Sequence, residues 1–257
     1  MSDGRVHYGV SHGVATVRFD RPEARNAMTW AMYAELASAC TAMAADASVR
    51  VAVFRGTSEA FVAGTDIGQF TTFQGADDGV AYERKVEAAI EQIEKLPMPT
   101  VAVVEGWCMG GGLVMATACD FRIATPQARF GVPIARTLGN CLSTANVARL
   151  MAAFGVPRTK RMLLLAESVS GDEAAAGGYV EKLVLPGDVA AAIDAMCGRL
   201  AAHAPLTMRA AKEGIRRITM TNLPDGEDLV RACYGSADFK EGVASFLAKR
   251  KPEWRGK

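Results

Sequence analysis

FVAGTDI (Phe61–Ile67) and TVAVVEGWCMGGG (Thr100–Gly112) decide the reading of this chain. Each runs from an apolar strand pattern through a glycine-containing turn into a stretch with helical character, and VAVFR (Val51–Arg55) supplies the strand ahead of the first. A turn of this kind leaves backbone N–H groups unpaired, with the dipole of the following helix behind them. Two such turns brought together make a hole for a developing oxyanion, and glycine lets a substrate approach the main chain closely. Taken alone, either segment reads as a tight turn at a sheet edge. The pair, in this order, carries the argument.

Outward from these segments, Val6–Val10 and Val14–Phe19 alternate around Ser11–Gly13 and predict a hairpin. Arg21–Met28 (RPEARNAM) is a polar loop opened by Pro22, and Thr29–Ala45 has helical spacing. Gly75–Gly79 reads as a flexible break. Val80–Leu96 is an amphipathic helix stopped by Pro97 and Pro99. A helix from Gly110–Gly112 to about Cys119 follows, then a strand over Asp120–Ala124. From Ser143 the chain is mainly helical, with one late strand over Tyr179–Leu185. Strands alternating with helices, then helices alone, predict an α/β body with a helical C-terminal region, divided here at 1–198 and 199–257.

With 257 residues, half of them hydrophobic, the chain can bury a large core. A net charge of +1 gives no global reason to expect nucleic acid or a membrane surface as partner. The N-terminal residues show no secretory h-region, and no apolar run reaches membrane-spanning length. The six cysteines show neither paired nor metal-ligand spacing, which fits reduced thiols in a cytoplasmic protein and predicts no metal site. His7, His12 and His203 all lie far from the two decisive segments in sequence, which weakens any reading built on a histidine base.

The motifs together are specific. FVAGTDI resembles the A-G-[AST]-D-[IL] signature of the crotonase (enoyl-CoA hydratase/isomerase) superfamily, and VAVVEGWCMGGG followed by ACDFRIAT resembles its second signature. RPEARNAM is similar to the family's CoA-contacting loop, and FKEGVASFLAKRKPEW (Phe239–Trp254) to its last helix. The resemblance runs from about residue 5 to 254. It implies a ββα spiral core with a helical C-terminal trimerisation region, a homotrimer or homohexamer, and an acyl-CoA thioester as substrate. Coenzyme A would enter as part of that substrate, with no cofactor bound permanently. It implies that the N–H groups of Thr65 and Gly111 form the oxyanion hole. Arg25, Ala63, Asp66, Ile67, Gly68, Gly110, Phe246 and Lys249 would bind the CoA portion, the last two from this chain or from a neighbouring subunit. Trp107, Val114, Ile134, Asn140, Cys141 and Ser143 would surround the acyl group. Asp66 reads as a helix cap rather than an acid–base group. Because the donors are main-chain groups, the Thr65 hydroxyl itself is expected to matter little.

One departure stands out. The two glutamates with which the family's hydratases activate water fall on Val114 and Ile134, and no Asp or Glu occurs anywhere from Phe121 through Ala166. Valine and isoleucine move no protons, so hydration of crotonyl-CoA is expected to be weak or absent. Isomerisation, C–C cleavage, thioester hydrolysis and a non-catalytic CoA-thioester-binding role stay open beside it. A dinucleotide-binding reductase, suggested by Gly106, Gly110 and Gly112, lacks the acid about 20 positions later that would hold the ribose. Cys141 would need a nearby base or cation to act as a nucleophile, and Arg136 is the only candidate in sequence. Glu105 and Asp120 are the acids closest in sequence to the second segment.

Overall fold

The computed structural model describes residues 3–256, so residues 1, 2 and 257 of the expected domains lie outside it. The strands are β1 (Arg5–Ser11), β2 (Val14–Asp20), β3 (Val51–Arg55), β4 (Ala60–Val62), β5 (Thr100–Val104), β6 (Trp107–Met109), β7 (Phe121–Ala124), β8 (Arg129–Gly131), β9 (Ser168–Ser170) and β10 (Lys182–Leu183). The helices are α1 (Trp30–Ala45), α2 (Ala76–Glu94), α3 (Gly111–Ala118), α4 (Ile134–Thr137), α5 (Thr144–Leu164), α6 (Gly171–Ala176), α7 (Val189–Ala201), α8 (Pro205–Thr219), α9 (Glu227–Tyr234) and α10 (Ala237–Leu247).

The β1–β2 hairpin turns at His12 and Gly13, both at positive φ, as a right-twisted two-residue connection requires. β2 then pairs in parallel with β3, and the six-stranded sheet continues β1-β2-β3-β5-β7-β10. Its central strands are buried on both faces, which is why VAVFR and TVAVV read as continuous apolar runs. Alternation divides their side chains. Ala52 and Phe54 face the main core with α1–α3, whereas Val51, Val53, Val101 and Val103 pack against Val189, Met196, Cys197 and Leu200 of α7.

A second sheet, β4-β6-β8-β9, was not legible in the sequence. After β3, β5 and β7 the chain turns within a few residues into β4, β6 and β8, which pair in parallel. This strand–strand–helix repeat is the spiral core. Its corners leave no room for side chains: a Cβ on Gly106 would sit 1.9 Å from the Glu59 carbonyl oxygen.

Three expectations are corrected. Gly75–Gly79 is no flexible break: Asp78 accepts from the N–H groups of Gln74 and Gly75 at the start of α2, and Gly79 lies inside that helix. Glycine is needed at position 79 because a Cβ would meet the Tyr234 ring at 2.2 Å. The late strand shrinks to Lys182–Leu183. The boundary at 198/199 falls inside α7, and α9 and α10 fold back onto this same chain. There Tyr234 and Phe239, 4.7 Å apart, join Phe70, Phe73 and Tyr82 in one aromatic cluster.

Candidate active site

The RPEARNAM loop and the VAGTDI turn are zipped together. Ala63 N–H donates to Arg25 O (3.1 Å), Met28 N–H to Gly64 O (2.8 Å) and Asp66 N–H to Met28 O (2.9 Å). Asn26, fully buried, ties the loop to β4 through the Ala60 and Phe61 carbonyls. In this parallel pairing Thr65 stands opposite Met28, and the bonds on either side belong to Gly64 O and Asp66 N–H. The Thr65 N–H is therefore left with no acceptor among the described residues.

The second turn does the same by another route. Gly110 N–H donates to Gly131 O at the end of β8 (2.9 Å), and Gly110 adopts φ 54°, ψ −123°, a conformation that suits glycine. Gly111 is the first residue of α3, where an N–H has no intrahelical partner. The turns meet at their glycines: a Cβ on Gly110 would lie 3.8 Å from Gly64 Cα, and one on Gly64 would lie 3.6 Å from Met109 O. Two unpaired N–H groups from different strand ends thus line one cavity of about 950 Å³, a size that suits a substantial ligand.

That cavity gathers most of the residues expected from sequence. Arg25, Ala63, Thr65, Asp66, Ile67, Trp107, Gly110, Gly111, Val114, Ile134, Asn140, Phe246 and Lys249 all line it, the last two from the same chain. Trp107 and Phe246 remain about half exposed at its rim, and the Arg25 guanidinium lies 5.8 Å from the Trp107 ring centroid. Asp66 accepts from Gly68 N–H and pairs with buried Arg21 (2.8 Å), as a cap should.

Gly68, Cys141 and Ser143 lie outside the lining. The Cys141 thiol turns to α9, where it meets Cys233 and donates to Leu229 O (3.7 Å). Its hydrogen bond with Cys233 and then its burial push its pKa up, the opposite of an activated nucleophile. Ser143 caps α5 by accepting from Asn146 N–H. Glu105 is held by Arg55 (3.1 Å), and Asp120 by Lys212 (2.7 Å) and Thr100. The Thr65 hydroxyl is not idle: Tyr33 and Tyr82, both buried, hydrogen-bond it at 2.8 and 2.9 Å.

The sequence reading missed Glu83. This carboxyl sits on α2 with the residue 5% exposed, and it lines the cavity together with Tyr82, Val86 and Leu142. Tyr234 donates to one oxygen (2.7 Å) and the Ser143 N–H to the other (2.9 Å). Asn140 Nδ2 donates in turn to the Tyr234 oxygen (3.0 Å), while buried Asn140 Oδ1 receives no protein donor. Burial pushes the Glu83 carboxyl up, its two donors pull it partly back and Glu87 adds a smaller upward push, which together leave it at about 7. A signal existed in the sequence: Glu83, Val86, Ile90 and Ile93 share helical spacing, which puts a carboxyl on the apolar face of α2.

The fold and this paired-turn cavity define a class, and the comparisons with known proteins agree on it. The family model described as enoyl-CoA hydratase/isomerase matches residues 9–257. The crotonyl-CoA hydratase of Syntrophomonas wolfei is 33% identical over 251 residues, covering 95% of each chain. Human enoyl-CoA hydratase domain-containing protein 2, mitochondrial, is 32% identical over 262 residues, covering 98% of this chain and 89% of its own. Among solved structures, methylmalonyl-CoA decarboxylase in complex with 2-nitronate-propionyl-CoA superposes with a TM-score of 0.90 at 25% identity, covering 98% of both chains. The chain belongs to the enoyl-CoA hydratase/isomerase family, within the crotonase superfamily, and is an acyl-CoA-processing protein of that family.

Proposed function

We propose that this protein binds an acyl-CoA thioester and turns it over through an enolate-like oxyanion held by the N–H groups of Thr65 and Gly111. The observation that carries the reading is that two turns, each with an N–H (Thr65, Gly111) unpaired among the described residues, approach each other through Gly64 and Gly110 on one cavity. A thioester oxygen gains negative charge as a proton or CO2 leaves the α-carbon, so fixed donors there act most strongly in the transition state. A nitronate carries negative charge beside its α-carbon much as an enolate does, and the superposable decarboxylase was solved with such a ligand. Arg25, Arg136 and Lys249 line the same cavity and suit the CoA phosphates. Val114, fully buried, and Ile134, partly so, line the same cavity and carry no proton, which supports a reaction other than the two-glutamate hydration.

The test is binding followed by turnover. Butyryl-CoA should raise the melting temperature and butyrate should not, because a ligand of the folded state stabilises it by mass action. A panel of CoA thioesters followed by mass spectrometry then identifies the product. Equal shifts with butyrate and butyryl-CoA, or none with any thioester, would overturn the assignment.

A further inference from the structure

We infer that Glu83 is the acid–base group of this site: its carboxylate takes the proton from the α-carbon of the bound acyl thioester and, as the carboxylic acid, returns it. The inference rests on the thioester reading above and adds the residue that moves the proton.

The cavity offers little alternative. Among the described residues four acids line it: Glu23, Asp66, Glu83 and Glu167. Asp66 is committed to Arg21 and to Gly68 N–H, and Glu167 to Arg161. Glu23 lies in the exposed loop after Pro22. Glu83 alone of these is buried, and it shares the cavity wall with Tyr82, Val86, Val114 and Leu142, which would flank an acyl chain. No histidine lines the cavity.

Its bonding suits a group that must exist in both states. Each oxygen accepts one fixed donor, Tyr234 O–H or Ser143 N–H, so the carboxylate is positioned while each oxygen retains a lone pair. Around it stand Tyr33 from α1, Tyr234 from α9, Cys141 from the loop before α5, and Glu87 one turn along α2. Arg149 from α5, the ion-pair partner of Glu87, is taken up by Glu87 and Glu94 at 2.7 Å each. With no cation paired to it among the described residues, the carboxyl stays poised near neutrality, where proton transfer in both directions is effective.

The step balances without an external reagent. The Cα–H pair becomes the enolate double bond, the carbonyl π pair moves to the oxygen held by Thr65 and Gly111, and the proton resides on Glu83. Collapse of the enolate draws a proton from Glu83 to Cα, giving exchange once the carboxylic acid has traded its proton for one from solvent, or to Cγ of a 3-enoyl chain, giving the 2-enoyl thioester. One carboxyl suffices for either outcome, whereas hydration has to activate a water as well.

The test uses two probes. Butyryl-CoA in D2O reports α-hydrogen exchange by mass spectrometry, and 3-hexenoyl-CoA reports isomerisation by the rise in enoyl-thioester absorbance. Wild type should exchange, and Glu83→Gln should lose ~100-fold or more while butyryl-CoA still raises its melting temperature. Glu83→Asp should recover part of the rate. Tyr234→Phe removes a donor to the carboxylate, so it should move the acid limb of the rate profile to higher pH, a change that a merely structural role would not produce. If Glu83→Gln exchanges at the wild-type rate, or wild type binds butyryl-CoA yet neither exchanges nor isomerises, the role of Glu83 is refuted and the binding assignment survives. If wild type binds no thioester, both fail together.

Discussion

Replacing Thr65 by valine swaps one hydroxyl for a methyl of similar size, so its effect isolates a single oxygen. That oxygen is the shared partner of Tyr33 and Tyr82, at 2.8 and 2.9 Å, in a region where Thr65 is 6% exposed. A threonine hydroxyl has one proton, so it donates to one tyrosine and accepts from the other. Without it, one buried phenol loses its acceptor and the other an incoming donor. A buried polar group stranded in this way costs ~1–3 kcal/mol. The tyrosine that loses only a donor falls at the low end, giving ~2–4 kcal/mol in all. For a chain of this size that corresponds to a melting temperature lower by roughly 6–12 °C. Urea unfolding followed by circular dichroism measures it, with Thr65→Ser as the control that keeps the oxygen and should stay within ~1 kcal/mol of wild type. A valine variant within ~0.5 kcal/mol of wild type, or a serine variant as unstable as the valine one, would show that the tyrosines do not depend on this hydroxyl.

Glu83 should leave a mark on stability as well. Its folded-state pKa is raised from 4.5 to about 7, so its contribution is fully present below the unfolded value and is lost as pH climbs through 7. Between pH 5 and 8.5 the stability of Glu83→Gln relative to wild type should therefore improve by ~3 kcal/mol; parallel pH–stability curves would contradict this. Gly112→Ala places a Cβ 2.0 Å from the Val62 carbonyl oxygen, where only backbone movement between α3 and β4 can relieve the clash. It should cost ~3 kcal/mol or more and slow turnover, since that contact joins the two turns; wild-type stability in urea would mean the contact is soft. Crotonyl-CoA hydration, read as loss of enoyl-thioester absorbance, should be slower than that of a two-carboxylate hydratase by ~100-fold or more. A rate near the diffusional limit would show that some other group activates water.

How much was legible in sequence followed from where the physical cause was local. The hairpin, the buried strands and both glycine turns are written in runs of a few residues, and the structure keeps them. The smaller sheet was not legible because its strands are three residues each, too short for alternation to register. Gly79 was read as a break because glycine usually marks one, yet here it makes room for Tyr234, 155 residues further along the chain. The Thr65 hydroxyl and Glu83 were missed for the same kind of reason. Their partners lie on α1, α2 and α9 and at the cap of α5, and only the fold brings those together.

The central claim is that two backbone donors favour an enolate oxygen over a carbonyl oxygen. Comparing the dissociation constants of 2-nitronate-propionyl-CoA and propionyl-CoA by calorimetry tests this directly, because the two share their CoA portion and differ in charge beside the α-carbon. The nitronate should bind at least ~100-fold more tightly, as an intermediate analogue does. Equal affinities would contradict it, leaving a cavity that binds acyl-CoA without an oxyanion hole.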